Sequence, residues 1–228
     1  MKSRQTGFTL VEIAIVLVII GLLLGGVLKG QELITQAKIK NVANDLNGIA
    51  AAVYAYQDRY KAYPGDDNKA ADTSGGAKGR WGTSTGNGSF DGQVGGEFMS
   101  ATDTDESRLF WQHLRLSGLV AGDTASAAQP QNAVGGVIGV QMGSGPTGSG
   151  STPELSGLVV CSSNLPGKIA NAIDTQFDDG APDKGSVRGY KQTGSVTPGG
   201  GTNPTRSAAQ TGAYVDDGST LFTVCKKL

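Results

Sequence analysis

The sequence has few of the residues on which most enzymes and nucleic-acid-binding proteins depend. One histidine and two cysteines in 228 residues leave little room for a zinc site or a cysteine–histidine nucleophile. The 19 basic and 20 acidic residues nearly cancel, which argues against a strongly basic nucleic-acid-binding protein. Aromatic residues make up only 6% and follow no basic stripe, so nucleic acid is a minor candidate among the partners. We expect a protein that is not an enzyme and needs no cofactor.

One long apolar segment dominates the N-terminal part of the chain. Residues 8–28 (FTLVEIAIVLVIIGLLLGGVL) form an almost unbroken apolar run, and about 20 such residues cross the bilayer core. Lys2 and Arg4 precede the run, which predicts a cytoplasmic N-terminus and export of the residues that follow. The run is too long for the apolar core of a signal peptide, and no small-x-small cleavage site closes it. The sequence therefore predicts a single-pass protein of the inner membrane.

A carboxylate lies inside this apolar run. An unpaired charge at the centre of a membrane helix costs about 2.5–3.5 kcal/mol, so Glu12 is expected to have a partner. The nearest candidate cation is a new amino terminus, created by cutting the chain just before Phe8.

The residues around this carboxylate resemble a known processing motif. Gly7-Phe8-Thr9-Leu10-Val11-Glu12, after a short basic leader, is similar to the cleavage and methylation motif of type IV prepilins and pseudopilins. The resemblance implies that a prepilin peptidase cuts between Gly7 and Phe8 and methylates Phe8. It also implies that Glu12 neutralises the amino terminus of a neighbouring subunit in a filament of pilins. An inner-membrane assembly platform and a cytoplasmic ATPase are the partners implied for assembly.

A second pattern continues the first segment as a helix. Apolar residues recur at alternating spacings of three and four, which is typical of a helix with one buried face. These residues are Ile39, Val42, Leu46, Ile49, Val53, Tyr56 and Tyr60. One helix is therefore predicted from about Phe8 to Tyr60. The N-terminal part of the chain thus divides into a cleaved leader (1–7), a transmembrane and filament-core segment (8–30) and an amphipathic half (31–62). Gly25-Gly26 is the candidate hinge if the helix melts in a filament.

The remainder, residues 63–228, is predicted to be an exported globular domain. Glycine is about twice as frequent as usual, and 17 of the 36 glycines lie in tracts at 74–96, 143–152 and 194–204 that indicate long loops. A helix is predicted over Glu106–Val120, with Gly118 at its C-terminal end. The predicted strands are 137–142, 157–161, 186–190 and 221–225. The fold class is α+β, a type IV pilin-like helix packed on a small antiparallel sheet.

The two cysteines lie in the part of the chain that is expected to be exported, where disulfides form. In many type IV pilins a disulfide closes a C-terminal loop, and the resemblance implies such a loop here between Cys161 and Cys225. Major pseudopilins usually lack this bond, so it favours a pilus subunit. Two free thiols are the alternative.

One acidic cluster and the single histidine are further candidates for a metal-binding or catalytic site. Asp174, Asp178 and Asp179, with Asp183, form an acidic cluster in what is predicted to be a loop, and some pseudopilins bind calcium in such loops. The EF-hand spacing is absent, so a solvated turn is the default interpretation. His113 has no catalytic or metal-ligand spacing around it and is predicted to be a structural residue.

Three functions remain open. The first is a pilin of a type IV pilus-like filament, acting in attachment, motility or DNA uptake at the surface of a Gram-negative bacterium. The second is a pseudopilin of a type II secretion system. The third is a monomeric, membrane-anchored binding module that carries a pilin-like N-terminus.

Overall fold

The computed structural model describes residues 9–142, 155–196, 206–209 and 211–228, of which 206–209 are described by their backbone alone. The first element, α1 (Leu10–Tyr60), is a continuous helix of 51 residues. It confirms the helix predicted from the two apolar patterns. The chain divides into two compact units, with the boundary after Lys38 inside this helix.

The second unit is organised around one face of α1. The predicted stripe is confirmed, because Val42, Leu46 and Val53 are at most 1% exposed and belong to the main hydrophobic core. Ile49 and Tyr56 are also buried, whereas Ile39 and Tyr60 pack against the core from its margin. In this part of α1 only one face is buried, and polar residues lie between its members. The apolar residues therefore recur with the period of a helix.

A short second helix, α2 (Glu106–Leu116), follows the long glycine-containing tract. It ends four residues before the predicted boundary at Val120. Gly118 adopts a left-handed conformation with φ +74°, and its N–H donates to the Arg115 carbonyl at 3.0 Å. The N–H of Leu119 donates to the Leu114 carbonyl at 3.0 Å. These two bonds form a Schellman motif, which confirms the predicted role of Gly118.

The sheet is antiparallel throughout and has five strands among the described residues, in the order β1-β2-β5-β3-β4. The strands are β1 (Ile138–Met142), β2 (Leu158–Pro166), β3 (Val187–Gln192), β4 (Arg206–Ala209) and β5 (Leu221–Lys227). A third helix, α3 (Gly167–Phe177), connects β2 to β3. The four predicted strands and the α+β class are confirmed, whereas α3 and β4 were not predicted.

Both faces of the sheet are covered. Alternate residues of β2 separate into two cores, with Leu158 and Val160 in the main core beside α1. Val159 and Cys161 lie in a second core, which also contains Phe98. This second core explains why β2 lacks polar alternation, because both of its faces are buried.

The disulfide lies in the second core and joins two neighbouring strands. Cys161 of β2 is directly opposite Cys225 of β5, and their Cα atoms are 4.0 Å apart. Both cysteines are 0% exposed. The resemblance implied a bond that closes a loop, but the enclosed segment contains α3, β3 and β4. The disulfide therefore ties the centre of the sheet rather than an irregular surface loop.

The only histidine connects three parts of the second unit. His113 on α2 is 0% exposed, and its Nδ1 accepts a hydrogen bond from the Gly65 N–H at 3.0 Å. Its Nε2 lies 3.0 Å from the Gly86 carbonyl, to which it donates when the ring is neutral. Burial, more than any nearby charge, lowers the pKa of His113 to about 4. The predicted structural role is supported by this geometry.

We expect the stability of the protein to fall as the pH decreases from about 6.5 to about 4. In this range the unfolded histidine binds a proton, while the folded His113 with its pKa of about 4 stays neutral. The loss attributable to this residue is at most about 3 kcal/mol. It is measured by denaturant unfolding of the chain in detergent, as the difference between the native protein and a His113→Gln variant. Parallel pH profiles for the two proteins would contradict the expectation.

Removing the disulfide is expected to destabilise the second unit by about 4 kcal/mol, because it frees a loop of roughly 65 residues in the unfolded chain. The comparison is between the native protein and the double variant Cys161→Ala/Cys225→Ala in denaturant unfolding. Alkylation of the unfolded native chain without reductant is the control and is expected to add no mass. A mass increase of two alkyl groups would show free thiols instead.

Candidate functional site

The N-terminal half of α1 presents apolar side chains on every side. Leu10, Leu17, Leu22 and Leu28 are each more than 60% exposed, and none of the large apolar residues described between Leu10 and Leu33 is buried. Soluble proteins rarely expose apolar surface of this extent, so lipid or other helices must cover it. By length and composition alone, α1 can cross a membrane.

The helix begins with a capping box formed by Thr9 and Glu12. The Glu12 carboxylate accepts hydrogen bonds from both the N–H and the hydroxyl of Thr9, each at 2.8 Å. In return, Thr9 Oγ1 lies 3.3 Å from the Glu12 N–H. This reciprocal pattern satisfies donors that the first helical turn otherwise leaves unpaired. The sequence argument for Glu12 considered only a cation as its partner and missed Thr9, although the T-x-x-E spacing is visible in the sequence.

Two of the predicted site residues lie outside the described residues. Gly7 and Phe8, between which cleavage is predicted, precede Thr9, where the description begins. Cleavage there and methylation of Phe8 therefore stay predictions. The helix itself runs without interruption through Gly25 and Gly26 in the single chain, and a hinge in a filament stays a prediction as well.

The comparisons with known proteins bear on this same segment. Residues 2–28 match the family model for the prokaryotic N-terminal methylation motif. The N-terminal segment is that of a prepilin. Searches of the curated proteins and of the solved structures found no match to the chain. The prepilin motif implies processing by prepilin peptidase and assembly into a pilus-type filament, and it fits insertion in a membrane. The prepilin family is structural rather than catalytic.

The acidic cluster in the second unit differs from the predicted turn. Asp174 is not in a loop, because it belongs to the last turn of α3 and is 0% exposed. Its carboxylate accepts hydrogen bonds from the Tyr214 hydroxyl at 2.6 Å and from the Gly180 N–H at 3.0 Å. Burial raises the pKa of Asp174 above its ordinary value. The prediction placed this residue wrongly because the helix was not recognised.

The other members of the cluster are also engaged by the backbone. Asp178 accepts hydrogen bonds from the N–H groups of Ser186 and Val187, and Asp179 accepts one from Ala181. Carboxylate oxygens of Asp174, Asp178 and Asp179 lie within 4.8 Å of one another, which is close enough for one cation. A bound calcium ion would compete with these donors, and calcium binding stays the untested alternative to a structural role.

A second carboxylate group was not predicted. Asp66, Asp91 and Glu106 also place oxygens within 4.8 Å of one another. Asp66 is 2% exposed and accepts a hydrogen bond from the Gly92 N–H at 2.8 Å, while Glu106 accepts one from the Gly95 N–H at 2.7 Å. These carboxylates hold the glycine-rich loop in place, which is a sufficient structural role. Their convergence depends on tertiary contacts and left no spacing signal in the sequence.

We expect Thr9→Val to weaken the start of α1 by about 1 kcal/mol, because it removes the hydroxyl that donates to Glu12 and caps the helix. The readout is the amount of processed chain extracted from the membrane into filaments in the native host. Thr9→Ser keeps the hydroxyl and is the matched control. Equal filament yields from the Val and Ser variants would show that the hydroxyl has no role in assembly.

Proposed function

We propose that this protein is a structural subunit of a type IV pilus-like filament, which acts in attachment, motility or DNA uptake on a Gram-negative cell. The observation that carries the proposal is the methylation motif at residues 2–28 on a helix whose first half is uncovered. The apolar side chains of this half must be covered along their whole length by lipid or by another helix. In the proposed filament, the same segments of neighbouring copies provide that cover.

Replacing lipid contacts by contacts with other copies is energetically feasible. Extraction from the membrane removes lipid from the exposed side chains between Leu10 and Leu28. Burial of apolar surface is worth about 25 cal/mol per Å², so packing against other copies replaces the lost lipid contacts. Small residues at Gly21, Gly25 and Gly26 have open space around them in the single chain, so neighbouring helices can approach closely there.

Glu12 has two roles in this proposal. Before assembly, its bonds with Thr9 stabilise the carboxylate within the apolar segment. After cleavage, the amino group of Phe8 in a neighbouring copy supplies the positive charge. Opposite charges attract strongly in a medium of low dielectric constant, and this attraction selects the neighbour whose axial position brings the two groups together.

A pseudopilin of a type II secretion system is the second candidate function. It shares the N-terminal motif and the uncovered helix, so these features do not separate the two. The disulfide between Cys161 and Cys225 favours the pilus subunit, since major pseudopilins usually lack it.

The test is to shear filaments from the native host and identify their subunits. We expect the mature chain to begin at methylated Phe8 in the sheared fraction, as seen by mass spectrometry. A deletion strain is expected to lose the filaments and to secrete its exported enzymes normally. Lost secretion with no surface filaments would favour the pseudopilin.

Two variants separate processing from assembly. Glu12→Ala is expected to be cleaved normally but to give few filaments, because the charge partner is lost. A bulky substitution of Gly7 is expected to block cleavage and assembly together. A Gly7 variant with full function would instead indicate a membrane-anchored module that never enters a filament.

A further inference from the structure

A cleft in the second unit combines apolar walls with one half-buried carboxylate, that of Asp45. It lies between α1, the end of α2 and the start of β1, and its volume is about 290 Å³. Ile49, Leu119 and Ile138 form part of its apolar wall. Asp45 of α1 and Trp111 of α2 also line it.

The carboxylate in this cleft is partly withdrawn from water. Asp45 is half-buried, and within the described ranges no hydrogen bond or ion pair reaches its carboxylate. Burial raises the pKa of Asp45. A carboxylate that is partly removed from water is usually paired, so the cleft has the character of an incomplete contact.

A matching cation lies on the other side of the same helix. Lys40 is exposed and has no ion-pair partner in the described part of the chain. It precedes Asp45 by five residues, which corresponds to a rotation of about 140° and a rise of about 7.5 Å. Lys29 of α1 and Lys61, just after its end, are already paired with Glu32 and Asp58, respectively.

We propose that this cleft is one half of a contact between copies of the chain, in which Asp45 of one copy pairs with Lys40 of the next. The proposal rests on the proposed filament. In such a filament the α1 helices of successive copies run parallel and are displaced along the axis. Two complementary groups on nearly opposite sides of one helix then meet between neighbours.

The positions of the two groups favour a filament over a closed dimer. A two-fold dimer uses the same patch on both subunits, whereas Asp45 and Lys40 lie on different patches. A head-to-tail contact of this kind repeats from copy to copy. It also places a cation against the carboxylate whose burial no described charge offsets.

Charge reversal tests the pairing. Asp45→Lys and Lys40→Asp are each expected to lower the yield of sheared filaments by about tenfold, because like charges then face each other. The double variant restores the pair in every contact and is expected to recover most of the yield. Lys168→Glu, which reverses an exposed charge on α3, is the control and is expected to leave the yield unchanged. Failure of the double variant to recover, with every variant folded and processed, would overturn the pairing.

A second measurement does not depend on tolerance of reversed charges. Filaments of the double variant Asp45→Cys/Lys40→Cys are treated with a short bis-maleimide and reduced before electrophoresis. A ladder of multimers is expected, because each copy links to the next, and neither single variant is expected to give a ladder. Intact filaments without a ladder would overturn the contact and leave the proposed function standing. If the native chain forms no filaments at all, both proposals fail.

Discussion

The apolar surface on the N-terminal half of α1 must be buried, and this constraint governs the rest of the structure. No described part of the chain covers these side chains, so the membrane or other copies must do so. The requirement explains why a carboxylate is tolerated near the start of the segment. Glu12 satisfies the first turn of the helix through Thr9 and stays available to a cation. A processing motif at this position is consistent with a segment that changes its surroundings from lipid to protein.

The C-terminal half of the same helix differs, because its apolar face is buried in the main core of the second unit. Its end is fixed by a polar and aromatic group in the second unit. The Tyr56 hydroxyl donates to Asp67 at 2.8 Å, Asp67 pairs with Arg80, and the Tyr56 ring stacks on His113. A buried ion pair adds little net stability, but its geometry is specific. This group is therefore best understood as fixing how the end of α1 meets the loop and α2.

The sequence predicted those features that arise from local periodicity. The stripe on α1, the end of α2 at Gly118 and four strands follow from spacing and turn chemistry, and all are present. The features that were missed depend on contacts distant in sequence. Asp174 is predicted to lie in an acidic loop but belongs to α3, and its partner Tyr214 is 40 residues away. The second core was missed because Phe98 lies in a loop and gives no strand or helix pattern.

The role of the many glycines also depends on contacts that the sequence does not show. Gly65 has a φ of +89°, and a Cβ at this position would lie 2.3 Å from the Glu106 carbonyl. Glycine is therefore required at this position because two backbone segments are in close contact, and not because the chain is flexible. The carboxylates of Asp66 and Glu106 then hold the neighbouring loop through its N–H groups. In a domain with few aromatic residues, these bonds and the disulfide supplement two modest cores, and the glycine-rich segment 74–96 becomes ordered structure without forming helix or strand.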